Sequence, residues 1–189
     1  MSKAAIIGAG KTGRGFLARL LQEEKEEFCF IDKNAELVER LNKEKCFQIR
    51  FFGNVREAYT IDHYQAYTWE NAPLEDVDLI LVSVGGQNLK EVGKELSKLL
   101  KEDRHYYVIT CENASHPSVT LREAIGKENI SVSEGTVFCT TIEEEGLSIY
   151  SENYPYLQCD AKLLEGYVPG AKTIRPIANF SDFLTRKLF

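Results

Sequence analysis

Short runs of consecutive apolar residues alternate along this chain with stretches in which apolar residues recur every three or four positions. The first run, Lys3–Ile7, is followed by such a stretch at residues 13–24, and a second run covers residues 28–32. A strand buried on both faces gives a continuous apolar run, and a helix with one covered face gives the longer spacing. This alternation predicts a Rossmann-like α/β fold, a doubly wound and mostly parallel sheet with helices on both faces.

Residues 46–69 depart from this plan because polar and apolar residues alternate there in short segments separated by turn signals. We interpret the segments at 47–51, 55–61 and 64–68 as strands of a small antiparallel insertion. The patterns further along predict alternating strands and helices that end in an apolar helix at residues 180–189. The other predicted elements are helices at 35–44, 88–101 and 118–125, strands at 78–84, 106–110 and 130–138, and two short paired strands at 148–151 and 156–159.

A glycine-rich segment follows the first apolar run and gives the strongest indication of function. Gly8, Gly10 and Gly13 stand between a predicted strand and a predicted helix, and Asp32 ends the next apolar run, 22 residues after Gly10. A strand, Gly-x-Gly-x-x-Gly, a helix and an acid about 20 residues later together form the dinucleotide-binding fingerprint. The sequence therefore predicts that a dinucleotide binds at the segment Gly8-Ala9-Gly10-Lys11-Thr12-Gly13.

Each residue type of the fingerprint has a physical reason to stand where it does. Gly8 permits a tight turn out of the strand, Gly10 lets the backbone approach a pyrophosphate, and Gly13 lets the helix pack closely on the strand. The first N–H groups of the helix and its positive dipole end favour the phosphates. Asp32 would accept hydrogen bonds from the adenosine ribose and repel a 2′-phosphate, so NAD is predicted over NADP. The neighbouring cation Lys33 could soften that preference.

Two further loops are predicted to reach the same edge of the sheet, because ligands of open α/β sheets bind at the carboxyl ends of the strands. The first loop offers four candidate cofactor-binding residues, which are Ser83, Val84, Gly85 and Asn88. The second loop offers Glu112 as a further cofactor-binding candidate, with an acid–base role or a solvated loop carboxylate as alternatives. It also offers Asn113, whose amide could polarise a carbonyl or hold an alkoxide.

Composition and charge indicate which binding partners and which cellular compartment to expect. A net charge of −6, a pI of about 5.2 and no basic block exclude nucleic acid and an anionic membrane as expected partners. No apolar run approaches the roughly 18 residues of a membrane span. The five cysteines are odd in number and widely spaced, which is typical of reduced thiols, so we expect a cytoplasmic protein. The three histidines share no ligand spacing, and no metal is predicted.

Several segments together resemble the polyol-specific long-chain dehydrogenases. They run in that family's order and are residues 8–16, Ile31-Asp32-Lys33-Asn34, residues 83–89, Cys111-Glu112-Asn113 and residues 186–189. The resemblance implies an NAD-dependent oxidoreductase that transfers hydride between the nicotinamide and a carbon of a polyol or polyol phosphate. It also implies a cofactor domain at residues 1–180 and, at 181–189, the start of a truncated or absent helical domain. The chain alone is therefore expected to be the cofactor-binding portion.

The same resemblance implies roles for two side chains. Lys187 matches by motif the lysine that acts as general base toward the substrate hydroxyl. Asn113 matches the asparagine that stabilises the developing alkoxide. The family usually has an aspartate and an arginine where Ile142 and Glu143 stand in this chain.

Two other functions stay open at this point. A non-catalytic module that binds or senses NAD(H) would need the fingerprint but no substrate pocket. A structural α/β domain would need neither. The apolar helix at residues 180–189 also predicts self-association, because large apolar patches rarely stay exposed to water.

Overall fold

The computed structural model describes the backbone of residues 3–188 and the side chains of residues 3–187. The strands in this part of the chain form two sheets. They are β1 (Lys3–Ile7), β2 (Glu27–Ile31), β3 (Phe47–Phe51), β4 (Tyr59–Ile61), β5 (Tyr64–Tyr67), β6 (Leu79–Val82), β7 (Tyr106–Thr110), β8 (Ile130–Thr136), β9 (Thr141–Glu143), β10 (Ile149–Ser151), β11 (Leu157–Asp160) and β12 (Ile174–Ile177).

The larger sheet has eight strands in the order β12-β11-β8-β7-β6-β1-β2-β5. Every neighbouring pair from β5 to β8 is parallel. Taken in chain order, these six strands are arranged 3-2-1-4-5-6, which is the order of the dinucleotide-binding Rossmann fold. At the other edge β11 pairs antiparallel with β8, and β12 pairs parallel with β11. The predicted fold class is confirmed.

Helices cover both faces of this sheet. The first helix begins with a π-helical segment at Gly13–Leu17 and continues as α1 (Ala18–Glu23). The helices that follow are α2 (Ala35–Glu44), α3 (Leu89–Leu99), α4 (Pro117–Ile125) and α5 (Phe180–Leu188). Asn34 caps α2, because its side-chain oxygen accepts a hydrogen bond from the Leu37 N–H at 3.1 Å.

Successive strand residues supply two apolar cores, one on each face of the sheet. Ile6 belongs to the core that contains Phe16 of the first helix. Ile7 belongs to the core that contains Leu89 of α3 and Leu121 of α4. Since side chains of a strand alternate between faces, covering both faces requires an apolar residue at every position. This explains the continuous apolar runs of the sequence.

The smaller sheet has the order β4-β3-β10-β9 and lies against the first helix. Its outer pairs, β3–β4 and β9–β10, are antiparallel, and its central pair, β3–β10, is parallel. Gly15 lies so close to β10 that a Cβ atom there would stand 2.4 Å from Ile149 Cγ2. The glycine therefore lets the first turn of the helix pack directly on the smaller sheet.

Two predictions of strand pairing are wrong. The segment at 64–68 is not part of the insertion, because Tyr64–Tyr67 pairs in parallel with β2 as the edge strand of the larger sheet. The segments at 148–151 and 156–159 do not pair with each other, since β10 joins the smaller sheet and β11 the larger one. An alternating pattern shows which residues of a strand face inward, and it leaves the partner strand undetermined.

Candidate functional site

An open cleft of about 560 Å³ lies at the carboxyl ends of β1, β2, β6 and β7. All three loops that the sequence predicts at this edge contribute to it. Of the predicted site residues, those that line the cleft are Gly8, Gly10, Lys11, Thr12, Asp32, Lys33, Ser83, Val84, Gly85, Asn88, Glu112 and Asn113. Ala9 and Gly13 lie in the same glycine-rich turn beside them and are buried.

The three fingerprint glycines are required for different reasons. A Cβ at Gly8 would stand 1.9 Å from the Ser83 carbonyl oxygen, and its φ of +102° suits only glycine. A Cβ at Gly13 would stand 2.0 Å from the Gly8 carbonyl oxygen. At Gly10 a Cβ would meet no heavy atom within 4 Å, at the point where the first helix begins. Packing of the chain explains two of the glycines, whereas the third borders open space.

A buried arginine supports the glycine-rich turn from below. The Arg14 guanidinium donates hydrogen bonds from Nε to the Ala9 carbonyl at 2.7 Å and from Nη1 to the Leu147 carbonyl. It also donates from Nη2 to the Glu143 carboxylate at 3.0 Å. Burial lowers the pKa of Arg14, and the nearby Glu143 carboxylate opposes that shift. Glu143 is therefore the ion-pair partner of the arginine that holds the glycine-rich turn.

Asp32 joins the glycine-rich turn to the end of β2. Its Oδ2 accepts a hydrogen bond from the Ala9 N–H at 2.8 Å, and its Oδ1 accepts one from the Asn34 N–H at 2.8 Å. These two donors fix the plane of the carboxylate while leaving each oxygen a further lone pair. The next residue, Lys33, extends over the cleft, where its Nζ lies 3.5 Å from Oε2 of Glu91.

Glu112 joins the loops that follow β6 and β7. Its carboxylate accepts hydrogen bonds from the Val84 N–H at 2.6 Å and from the Gly85 N–H at 3.0 Å. Burial raises the pKa of Glu112, and the two backbone donors act against that rise. Asn88 holds the same loop, since its side chain donates to the Val84 carbonyl at 2.7 Å. This carboxylate is bound to the protein backbone rather than solvated.

The two predicted catalytic side chains lie in different places. Asn113 is exposed at the mouth of the cleft. Lys187 is exposed on α5, with its Nζ 6.0 Å from the centre of the Phe138 ring, and among the described residues it does not line the cleft. Their roles stay predictions. Phe189, the last residue of the terminal motif, lies outside the described residues.

Sequence reasoning missed several residues of this site. Arg14 stands inside the matched motif, but nothing in the pattern indicates that its charge is buried beneath the turn. Trp69 and Val137 also line the cleft, as does Glu91 in the first turn of α3. A single tryptophan is the only signal that could have drawn attention to one of them.

The cysteines offer no reactive thiol to the cleft. All five are free, and four of them are buried, with Cys46 the exposed one. Cys111 lines the cleft at the end of β7, where burial raises the pKa of its thiol well above the usual range. Burial likewise raises the pKa of Cys29 to about 12. Such thiols stay protonated and unreactive at neutral pH.

The part of the chain that the structure describes holds neither a metal-binding cluster nor a membrane-spanning helix. No three of the His, Cys, Asp and Glu side chains described there stand close enough together to hold a metal ion. None of the helices described is both long enough and apolar enough to cross a membrane.

Comparison with known families and proteins gives one consistent result. Residues 2–143 match the family model for the mannitol dehydrogenase Rossmann domain. A mannitol-1-phosphate 5-dehydrogenase from Thermoanaerobacter pseudethanolicus is 33% identical over 66% of this chain and 35% of its own length. One from Pyrenophora tritici-repentis is 28% identical over 99% of this chain and 55% of its own length. The chain thus spans between about a third and about half the length of these relatives.

Solved structures share the fold at lower sequence identity. A PanE/ApbA family ketopantoate reductase from Ralstonia eutropha superposes with a TM-score of 0.73 at 16% identity, covering 98% of this chain and 60% of that protein. A D-mandelate dehydrogenase solved with NADH and anilino(oxo)acetate superposes with a TM-score of 0.70 at 20% identity and the same coverage.

Proposed function

The chain belongs to the mannitol dehydrogenase family, and from this premise we propose that its cleft binds NAD(H) for an oxidoreductase. The proposal rests on the open space beside Gly10. A Cβ there would meet no heavy atom of the protein within 4 Å, so packing does not require a glycine at this position. A pyrophosphate at that point would meet the first N–H groups of the helix, which have no acceptor within the helix. When bound, NAD supplies the carbon that accepts or returns a hydride.

The acidic end of the cleft fits the adenosine ribose. The Asp32 carboxylate is held by the Ala9 and Asn34 N–H groups and keeps lone pairs for two ribose hydroxyls. A carboxylate at this place accepts from hydroxyl groups and repels a 2′-phosphate. This favours NAD(H) over NADP(H).

We assign the substrate to the polyol or polyol phosphate class, because the curated relatives are mannitol-1-phosphate 5-dehydrogenases. In this proposal the carbinol carbon loses its hydride to the nicotinamide and its hydroxyl proton to a base, giving the ketose. The Asn113 amide donates a hydrogen bond to the reacting oxygen, and Lys187 accepts the proton.

Cofactor binding and proton transfer are proposed for different forms of the protein. A lysine accepts a proton near neutral pH only where burial or a neighbouring cation favours its neutral form. Lys187 is exposed on α5. The proton step is therefore proposed for a protein in which further structure covers Lys187, whereas cofactor binding is proposed for this chain itself.

A non-catalytic NAD(H)-binding module is the second candidate. The observation in its favour is that the described residues that line the cleft do not include Lys187. Such a module would bind the dinucleotide with the same residues and would not turn over a polyol.

Titration of this chain with NAD and NADH, followed by nicotinamide fluorescence and by calorimetry, tests the binding step. We expect Asp32→Asn to weaken binding about tenfold, because the amide keeps the shape of the carboxylate and loses charged acceptors. Asp103→Ala is the matched control, since Asp103 is an exposed acid that does not line the cleft. Absence of binding by the unmodified chain contradicts both candidates.

An assay with mannitol 1-phosphate and NAD, followed by NADH absorbance, then separates the two candidates. The assay uses a longer protein in which further structure covers Lys187, because the proton step is proposed only for that form. Formation of NADH by the longer protein supports the oxidoreductase, and NAD binding without turnover by the longer protein supports the module.

A further inference from the structure

An ion pair spans the mouth of the cleft beside Asp32. The Lys33 ammonium lies 3.5 Å from the Glu91 carboxylate, and both side chains are more than half exposed. Lys33 is the second residue after the end of β2, and Glu91 stands in the first turn of α3. Both residues line the cleft.

The position of Lys33 is the one from which a cation would reach a 2′-phosphate. In Rossmann folds the acid at the end of the second strand holds the ribose 2′-hydroxyl, and a nearby basic residue accommodates the phosphate of NADP. Asp32 is that acid here, and Lys33 is its neighbour. The Lys33 ammonium is already paired with the Glu91 carboxylate.

We propose that Glu91 is a specificity-determining residue, which excludes NADP(H) by pairing with Lys33 and by adding a second negative charge at the ribose end. This inference rests on the proposed binding of NAD(H). The charges facing this end from β2 and α3 are Asp32, Lys33 and Glu91, which sum to −1. Without Glu91 the sum is zero and the Lys33 ammonium is free to meet a phosphate.

The fold does not depend on this pair. An ion pair between two exposed side chains contributes little to stability, because water and salt screen it. We therefore expect the pair to affect mainly the binding of a charged ligand that lies beside Lys33 and Glu91. A variant at position 91 should fold normally and report on ligand charge alone.

The test compares the affinities of NADH and NADPH for the unmodified chain, Glu91→Gln and Glu91→Gln/Lys33→Gln. We expect Glu91→Gln to bind NADPH about three- to tenfold more tightly, and its affinity for NADH, which carries no 2′-phosphate, to change by a smaller factor. Adding Lys33→Gln should reverse most of that gain. Adenosine 2′,5′-bisphosphate, titrated by calorimetry, should follow NADPH, because it carries the 2′-phosphate without the nicotinamide.

Glu95→Gln is the matched control on the same helix. Glu95 pairs with Lys98 at 3.1 Å and is not among the described residues that line the cleft. This variant removes the same charge from α3, so we expect it to leave both affinities within about twofold. Raising the salt concentration should shrink the gain of Glu91→Gln and leave the control unaffected.

The outcomes separate the two proposals. If the unmodified chain binds neither dinucleotide, the proposed function fails and the inference fails with it. If NADH binds and Glu91→Gln does not improve NADPH or the bisphosphate, the inference alone is overturned. A gain that survives Lys33→Gln would also overturn it, because the freed ammonium would then have no part in the effect.

Discussion

The two sides of the cleft are held in different ways. On one side, the glycine-rich turn rests on the buried guanidinium of Arg14, which also binds the Leu147 carbonyl near the smaller sheet. On the other side, the Glu112 carboxylate holds the loop after β6, and Asn113 beyond it is exposed. The glycine-rich side, where we propose that the dinucleotide binds, is thus the rigid side of the cleft, whereas Asn113 on the other side is open to solvent. The proposed cofactor binding and the proposed proton transfer can therefore be tested separately.

The largest expected effect comes from breaking the rigid side at Gly8. Gly8→Ala places a Cβ against the Ser83 carbonyl at a φ of +102°. We expect a loss of about 3 kcal/mol in the free energy of unfolding. For a domain of this size that corresponds to a fall of about 6–12 °C in Tm by differential scanning calorimetry. A Tm within 2 °C of the unmodified chain would contradict the described approach of β1 to the Ser83 loop.

The next effect comes from removing the support beneath the turn. Arg14→Met leaves the buried Ala9 and Leu147 carbonyls without their donor. We expect a loss of about 2 kcal/mol in the free energy of unfolding, because the unsatisfied carbonyls cost more than the relieved burial of the charge returns. The measurement is a urea unfolding curve. Arg122→Met, an exposed arginine of α4, is the control and should change stability by less than about 0.5 kcal/mol.

Gly10 separates binding from stability on the same side of the cleft. Since a Cβ there meets no heavy atom within 4 Å, Gly10→Ala should leave Tm within about 2 °C of the unmodified chain. We expect its affinity for NADH to fall about tenfold or more, or about 1.4 kcal/mol, as the methyl group occupies the space of the pyrophosphate. Unchanged NADH affinity, measured by fluorescence titration, would mean that the phosphates lie elsewhere.

The sequence predicted the strands and the turn on the rigid side of the cleft far better than it predicted which strands pair with one another. Continuous apolar runs revealed β1, β2, β6 and β7 because both faces of those strands are covered, and the glycine spacing located the turn between them. The alternating segments at β5 and β10 predicted strands but not their partners. A strand with one buried face gives the same alternating pattern in either sheet. Arg14 and Glu91 stayed unnoticed for a different reason. Their meaning depends on contacts with Leu147 and Lys33, which lie far away in sequence.

The smallest expected effect is on the other side of the cleft and depends on pH. Burial raises the pKa of Glu112 in the folded chain, so folding favours its protonated form. The resulting stabilisation is fully present below the pKa of an unfolded glutamate, about 4.3, and is lost as pH rises through the folded value. Glu112→Gln cannot titrate, so its stability relative to the unmodified chain should increase from pH 4 to pH 8 in urea unfolding. Glu123→Gln, at an exposed position of α4, should show no such trend. A difference that falls with pH would mean that the backbone donors of Val84 and Gly85 outweigh burial, and that this loop is held as firmly by charge as the glycine-rich turn is by Arg14.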